Sequence, residues 1–347
     1  AASDVSKRQE RKQAHNDQHD SRAEARQHSK GKLTAWERLD ILFDEDTFEE
    51  VDAFVTADKS DTGFGTVQKA FGDGVIIGHG LIRGRLTFAY AQDFTVMGGS
   101  LGSVHAAKIM KIQDMALKMG APMVGLIDSG GARIQEGVAS LAGYAGIFHR
   151  NVQSSGVIPQ ISVILGPAAG GAVYSPSITD FVFMTDQTSY MFVTGPNVVK
   201  EVLNEDVSFN DLGGAGVHSK KSGVAQMVFP DEENTLMGVR QMLAYLPSNN
   251  MENSPEMELS ADETADVEEK LRDIVPDDPN KPYDVKDVIE HIVDKRSFYE
   301  IAENYAQNIV IGFGRLDGKV IGIVANQPKV LAGTLDIDSS NKGARFI

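Results

Sequence analysis

The sequence predicts an α/β fold containing one complete unit and the start of a second. Three observations carry that reading. Short apolar runs alternate with stretches of helical period, two of those runs end in glycine-rich turns, and a partial repeat links the two ends of the chain. With 347 residues, 41% of them hydrophobic, there is ample material for one large core or two modest ones.

Residues 1–31 are polar, carry three histidines and have almost nothing to bury, which predicts a solvated helical arm. His15 and His19 have the spacing of a helical metal pair, but no third ligand stands at a fixed distance from them. Thr34-Ala35-Trp36-Glu37 is a capping-box pattern, and the helix it opens carries Trp36, Leu39 and Phe43. Val75 to Ile82 and Leu86 to Ala91 alternate about Arg83-Gly84 and read as a hairpin. Leu101 to Met119 has apolar residues near 3.6 spacing and reads as a long helix. The apolar run Met123 to Asp128 reads as a strand that enters the turn Ser129-Gly130-Gly131-Ala132-Arg133, with a helix expected over Ile134 to Phe148. The same arrangement recurs where Ile161 to Leu165 enters Gly166-Pro167-Ala168-Ala169-Gly170-Gly171 and a helix start. Phe181 to Met184 and Tyr190 to Thr194 are further strand candidates, and the acidic, Pro/Asn-rich residues 252–282 read as a linker. The expected division is an arm at 1–31, a unit at 32–251, the linker at 252–282 and the start of a second unit at 283–347.

The repeat is the most informative of these features. Asp44 to Val51 resembles Asp294 to Ile301 at an offset of 250 (294 less 44). Gly78 to Arg85 resembles Gly312 to Lys319, and Val96 to Leu101 resembles Val330 to Leu335, both at an offset of 234 (312 less 78). The first copy therefore holds 16 more residues (250 less 234) between Val51 and Gly78, in a polar, Gly-rich stretch that reads as a surface loop. The first copy's Ser129–Ala132 turn would recur 234 residues on, near 365 and past Ile347, so the sequence is expected to break off inside its second copy.

Composition narrows the chemistry. A formal charge of −16 argues against nucleic acid or an anionic membrane surface as the main partner. Without cysteine there is no disulfide framework, thiolate nucleophile or Cys-based metal site. The first residues lack the apolar core of a signal peptide and no apolar run reaches spanning length, so a soluble intracellular protein is expected.

Each glycine turn follows a buried strand and precedes a helix, so each offers unpaired N–H groups near the positive end of a helix. Glycine permits positive φ and close approach of a ligand. Two such turns on neighbouring strands can aim two amides at one oxygen, an oxyanion hole without side chains. On a thioester it would stabilise the enolate formed at the α-carbon, each donor supplying about 3–4 kcal/mol. The bland alternative is that the glycines only permit tight strand-to-helix turns; two such turns in one unit favour the functional reading.

Asp128-Ser129-Gly130-Gly131-Ala132-Arg133-Ile134-Gln135-Glu136-Gly137 and Gly166 to Tyr174 resemble the biotin-dependent acyl-CoA carboxyltransferase β subunits. So do Gln92-Asp93-Phe94-Thr95-Val96, Lys32-Leu33-Thr34-Ala35 and Asn326-Gln327-Pro328-Lys329-Val330. The likeness is strongest to the propionyl-CoA carboxylase β and methylmalonyl-CoA decarboxylase α group, and runs from about residue 26 to the end. It implies crotonase-like (ClpP/crotonase superfamily) ββα-superhelix domains, here one followed by the start of another, in a homo-oligomer, often a hexamer, with active sites at subunit interfaces. It implies an acyl-CoA thioester as substrate, short-chain with propionyl-CoA favoured. Carboxybiotin would be the carboxyl donor, carried by a partner biotin carboxyl carrier or biotin carboxylase subunit and not attached to this chain. A cytoplasmic or mitochondrial-matrix setting follows, with membrane contact only indirect, through a sodium-pumping decarboxylase. The thioester oxyanion hole falls on backbone N–H groups of Gly131 or Ala132 and of Gly170 or Gly171, with Gly130, Ala169, Gly98 and Gly99 as further substrate contacts. N-terminal Lys and Arg residues are implied to help hold the coenzyme A phosphates. No protein side chain is needed as base, and Glu136 reads as a helix cap or partner contact. Gly171→Val is expected to abolish turnover by blocking the thioester.

Three other readings compete. Gly98-Gly99-Ser100-Leu101-Gly102 satisfies the GxSxG pattern of a serine hydrolase. Its repeat has Thr334 and Asp336, however, and none of His105, His149, His218 and His291 stands in a triad context. A crotonase-type hydratase or isomerase would share the two-turn hole but needs positioned acids and no second unit. A non-catalytic scaffold is the third.

Overall fold

The computed structural model describes residues 21–58, 65–67, 69–258, 271–278 and 280–347. The His15–His19 pair lies outside the described residues. Eight strands make the main sheet: β1 (Glu49–Val51), β2 (Val75–Ile82), β3 (Arg85–Gln92), β4 (Met123–Ser129), β5 (Gln160–Ala169), β6 (Phe181–Thr185), β7 (Tyr190–Phe192) and β8 (Met227–Phe229). Their spatial order is β1-β2-β3-β4-β5-β6-β8, with β7 beside the far end of β5. β1, β2 and β3 pair antiparallel, and every pairing from β3 onward is parallel. Parallel neighbours need crossovers. The helices in chain order are α1 (Ser21–His28), α2 (Ala35–Leu42), α3 (Ser103–Met119), α4 (Val138–Ser154), α5 (Tyr174–Ile178), α6 (Pro196–Leu203), α7 (Phe209–Gly213), α8 (Ala215–Lys220) and α9 (Glu232–Leu243), of which α3 to α8 lie in the crossovers.

All seven residues of β4 are buried, as expected of a central parallel strand covered on both faces. On one face α3 and α4 bring Ile109, Ile112, Tyr144 and Ile147 against Phe88, Ile127 and Ile164. On the other, Leu39 and Leu42 of α2 and Leu236 and Val239 of α9 cover Val124, Leu126 and Val163. Thr34 caps α2 as its sequence predicts: its side chain accepts from Glu37 N, and Glu37 accepts from Thr34 N.

Several segments differ from their sequence reading, and the strand expected over Tyr190 to Thr194 ends at Phe192. β5 does not stop at Leu165 but continues through Gly166–Ala169, because β7 pairs with it (Pro167↔Tyr190, Ala168↔Met191, Ala169↔Phe192) after its pairing with β6 ends at Ile164. The helix expected from Ile134 starts at Val138, since a 3₁₀ turn over Ile134–Glu136 ends at Gly137, whose φ of 55° interrupts the helix. In the acidic stretch expected to be a linker, α10 (Leu271–Ile274) forms a single helical turn.

The second sheet, β9 (Tyr299–Ile301), β10 (Ile309–Leu316) and β11 (Lys319–Asn326), copies β1–β3, flanked by α11 (Val285–Ile292) and α12 (Ile337–Phe346). Glu50 opposes Gly78 across β1 and β2, and Glu300 opposes Gly312 across β9 and β10, at the repeat offsets of 250 and 234. The Asp44 carboxylate accepts from the amides of Arg83 and Gly84 at the hairpin turn, and Asp294 does the same for Asp317 and Gly318. Lys108 of α3 donates to Gly72 O and Val75 O, and Lys342 of α12 donates to the equivalent Ala306 O and Ile309 O. The repeat extends to hydrogen bonds between residues that the aligned stretches do not contain. Ile301, Ile309 and Ile311 of the second sheet join the core on the α2–α9 face of the first.

Candidate active site

The two glycine turns leave the carboxyl ends of neighbouring strands, β4 and β5, the side of a parallel sheet where ligands bind. Between them the pairing slips: Ile127 opposes Ile164, but Ser129 opposes Ala168. The extra β5 residues bulge opposite Asp128, a device that re-aims a strand end. A Cβ at Gly131 would come 2.7 Å from Ala169 O, so the turns lie side by side.

Their amides are not equivalent. Gly131, at φ 101°, turns its N–H inward to Ser129 Oγ at 3.1 Å. Gly131 O accepts from Leu101 N and Arg133 N donates to Leu101 O, both at 2.9 Å, which brackets Ala132 and leaves its N–H directed away from that bridge. In the second turn Gly170 and Gly171 begin a 3₁₀ turn that runs straight into α5. The first residues of such a turn have no internal partners for their N–H groups. Five residues, 133–137, separate Ala132 from α4, so any helix-dipole contribution at Ala132 is weaker than the sequence suggested, because it fades within about one turn.

Gly98 and Gly99 brace this assembly. Gly98 O accepts from Gly130 N at 3.0 Å and Gly99 O accepts from Ser129 Oγ at 2.7 Å. Gly99, at φ 63°, packs its Cα so closely against Asp128 O that no side chain fits there. A Cβ added at Gly171 would point at the Tyr144 ring, 2.6 Å from its Cδ2, and not out of the site. A valine there would therefore act by displacing the turn from behind, which corrects the steric-block expectation.

Two buried charge clusters support the turns. Beneath Asp128, Lys32 Nζ (2.5 Å) and Arg38 Nη1 (3.0 Å) meet its carboxylate, and Arg38 also forks onto Glu232 at 2.7 and 2.8 Å. Burial pulls the Lys32 ammonium below its ordinary pKa, with Asp128 opposing that pull. These two N-terminal cations are committed to the interior, whereas Arg26 and Lys30 are exposed. Behind the first turn, Arg133 is fully buried and donates to Asp73 (2.7 Å), Glu136 (2.9 Å) and Ser100 O (3.0 Å). Glu136 accepts from both Ser103 N and Ser103 Oγ at 2.7 Å, capping α3 and not its own helix. Burial raises the Glu136 pKa, but the Ser103 hydrogen bonds and Arg133 outweigh it and hold it below the usual carboxylate range. It is therefore an anion with its lone pairs occupied, unsuited to proton transfer. Ser100 Oγ donates to Met97 O, and no histidine among the described residues bonds it. Sequence reasoning missed Ser129, Tyr144, Asp73 and Arg38, which hold the turns from behind.

Among the described residues there is no cluster of three or more metal-ligating side chains, and no helix is long and apolar enough to cross a membrane.

Residues 26–347 match the carboxyl transferase domain family. The chain is 56% identical over 321 residues to a propionyl-CoA carboxylase beta chain of Cereibacter sphaeroides, covering 92% of this chain and 62% of that protein. It is 54% identical over 323 residues to methylmalonyl-CoA decarboxylase subunit alpha of Veillonella parvula, covering 93% and 63%. A solved hexameric transcarboxylase 12S with methylmalonyl-coenzyme A and methylmalonic acid bound has a TM-score of 0.93 and 44% identity, over 99% of this chain and 65% of that one. The chain thus spans about three fifths of the length of the curated relatives it matches.

Proposed function

The chain belongs to the carboxyl transferase domain family, with a crotonase-like α/β fold, and from that membership we propose that the whole protein moves a carboxyl group between carboxybiotin and the α-carbon of a short-chain acyl-CoA. Propionyl-CoA is the favoured acceptor, a reading supported by the names of several of its relatives. The observation that supports the proposal is that the turns after β4 and β5, which hold Ala132 and Gly171, lie side by side at the ends of neighbouring strands. We assign the thioester oxygen to the amides of these two residues. Gly131 stiffens the turn through Ser129, and Gly130, Ala169 and Gly98 form the wall against which the acyl group lies, with Gly99 buried behind them. As the α-carbon gains charge, the thioester oxygen becomes an enolate oxygen, and preorganised amides stabilise it without reorientation, by about 3–4 kcal/mol each. The acyl-CoA binding unit is residues 32–251, joined through 252–282 to a second unit from 283. The exposed Arg26 and Lys30 are the described N-terminal cations left to meet the coenzyme A phosphates.

Carboxybiotin, delivered on a partner's carrier domain, supplies the carboxyl group; no residue of this chain is assigned to hold it. The working enzyme is a homo-oligomer, of the hexameric kind seen in the transcarboxylase 12S structure. Methylmalonyl-CoA decarboxylase is the second reading, favoured by the 54% identity to such a subunit. The test is carboxyl transfer to free biotin by the full-length protein from methylmalonyl-CoA and malonyl-CoA. Faster transfer from methylmalonyl-CoA supports the proposal, and inactivity with both rejects it.

A further inference from the structure

Behind the Gly171 turn lies a small pocket, bounded by Ala172 and Tyr144, that the proposed chemistry does not use. About 20 Å³ of it is open to the centre of a water molecule, room for one water and not for two. Leu101, Ile109, Ile127 and Ile147, all buried, line it together with Tyr90 and with Ser175, whose hydroxyl donates to Asn151 Oδ1. Yet two polar atoms of the wall, Gln92 Oε1 and Tyr144 Oη, are buried without a protein partner. Buried polar atoms left unpaired are rare because desolvation is then uncompensated.

The orientation of Gln92 follows from its neighbour. His105 Nδ1 lies 3.0 Å from Asp73 O, a carbonyl that can only accept, so Nδ1 carries the proton. Burial, with Arg133 and Lys108 adding to it, holds this imidazole well below its ordinary pKa and therefore neutral. His105 Nε2 is then an acceptor, and the Gln92 amide nitrogen faces it at 3.3 Å. The amide oxygen is left turned to the pocket, needing a donor. Tyr144 offers one. Ser129 Oγ, beside it, already donates to Gly99 O and accepts from Gly131 N, and the Tyr144 hydroxyl is left without a protein partner.

We infer that this pocket is a binding site for a single structural water, which accepts from the Tyr144 hydroxyl and donates to Gln92 Oε1, and that the bridge makes Tyr144 a positioning residue for the glycine turns. One face of the Tyr144 ring backs Gly171, and its hydroxyl end lies beside Ser129, which holds the Gly131 amide. A single side chain therefore supports both turns, and tying its free end limits the tilt of the ring. The catalytic consequence rests on the oxyanion reading; the water does not.

An atomic-resolution crystal structure of the full-length protein should show one water within hydrogen-bond distance of Tyr144 Oη and Gln92 Oε1. A dry pocket, or a direct Tyr144–Gln92 bond, overturns the inference. Tyr144→Phe and Gln92→Leu should each lower kcat for carboxyl transfer about tenfold, with KM changed by less than about twofold. Because they share one bridge, the double variant should lose no more than the worse single. Losses that multiply would overturn the bridge. Thermal midpoints of the same four proteins form a second cycle, in which a sub-additive fall is expected and an additive one contradicts the shared water. If the parent protein transfers no carboxyl group, the functional reading fails while density and thermal cycle still decide the water.

Discussion

Replacing Gly171 by alanine should damage turnover much more than stability. A Cβ there would lie 2.6 Å from Tyr144 Cδ2 and 2.7 Å from Cε2, whereas ordinary contact begins at 3.4 Å. Turn or ring must yield by about 0.8 Å (3.4 less 2.6). Gly171 is not among the positive-φ glycines, so alanine strains no dihedral there and the cost is one of overpacking, about 1–3 kcal/mol. A catalytic group displaced by about 1 Å loses roughly 100-fold in rate, comparable to removing one oxyanion donor. In the full-length protein, kcat/KM for carboxyl transfer from methylmalonyl-CoA to biotin should therefore fall about 100-fold, with the circular dichroism spectrum unchanged. A folded Gly171→Ala protein with a rate within about twofold of the parent would refute the reasoning.

The repeat predicts matched penalties: Gly78→Ala and Gly312→Ala each drive a methyl group into a backbone oxygen, Glu49 O and Tyr299 O respectively. Each should cost about 1–3 kcal/mol in urea unfolding, and a difference of more than about 2 kcal/mol between them would break the equivalence. Arg133→Met leaves Asp73 and Glu136 without their buried partner and should destabilise by about 3–5 kcal/mol; a loss under about 1 kcal/mol would show that the cluster is not holding the turn. Burial lowers Lys342 from 10.5 to about 8, so between those values the unfolded chain keeps a proton that the folded one has lost. Stability from this group should rise with pH across that window, and Lys342→Met should flatten the rise; parallel curves would exclude it. Ser100→Ala should transfer carboxyl groups within about twofold of the parent rate. A fluorophosphonate should leave Ser100 unlabelled; labelling there would revive the hydrolase reading.

Local signals in the sequence were legible wherever the chain itself satisfies them. Thr34 and Glu37 cap α2 three residues apart, and the Arg83-Gly84 turn closes its own hairpin. The repeat was readable from Asp44, Gly78 and Val96, and its offsets also contain Lys108 with Lys342, which no apolar pattern marks. What escaped reading depends on partners distant in sequence. β5 outran Leu165 because β7 pairs with its far end. Arg38 meets Asp128 and Glu232 across separations of 90 and 194 residues. At the site, the glycines at 131 and 171 were visible as turns, but which amide faces outward was decided by Ser129 Oγ capturing Gly131 N–H. Glycine content says nothing about such a capture.

The central claim is that the main-chain amides of Ala132 and Gly171 share one thioester oxygen. Its most direct measurement is a crystal structure of the full-length protein with a stable acyl-CoA enolate analogue. The oxygen should lie about 2.7–3.1 Å from both nitrogens. An analogue oxygen held by side chains, or by amides elsewhere in the chain, would contradict it.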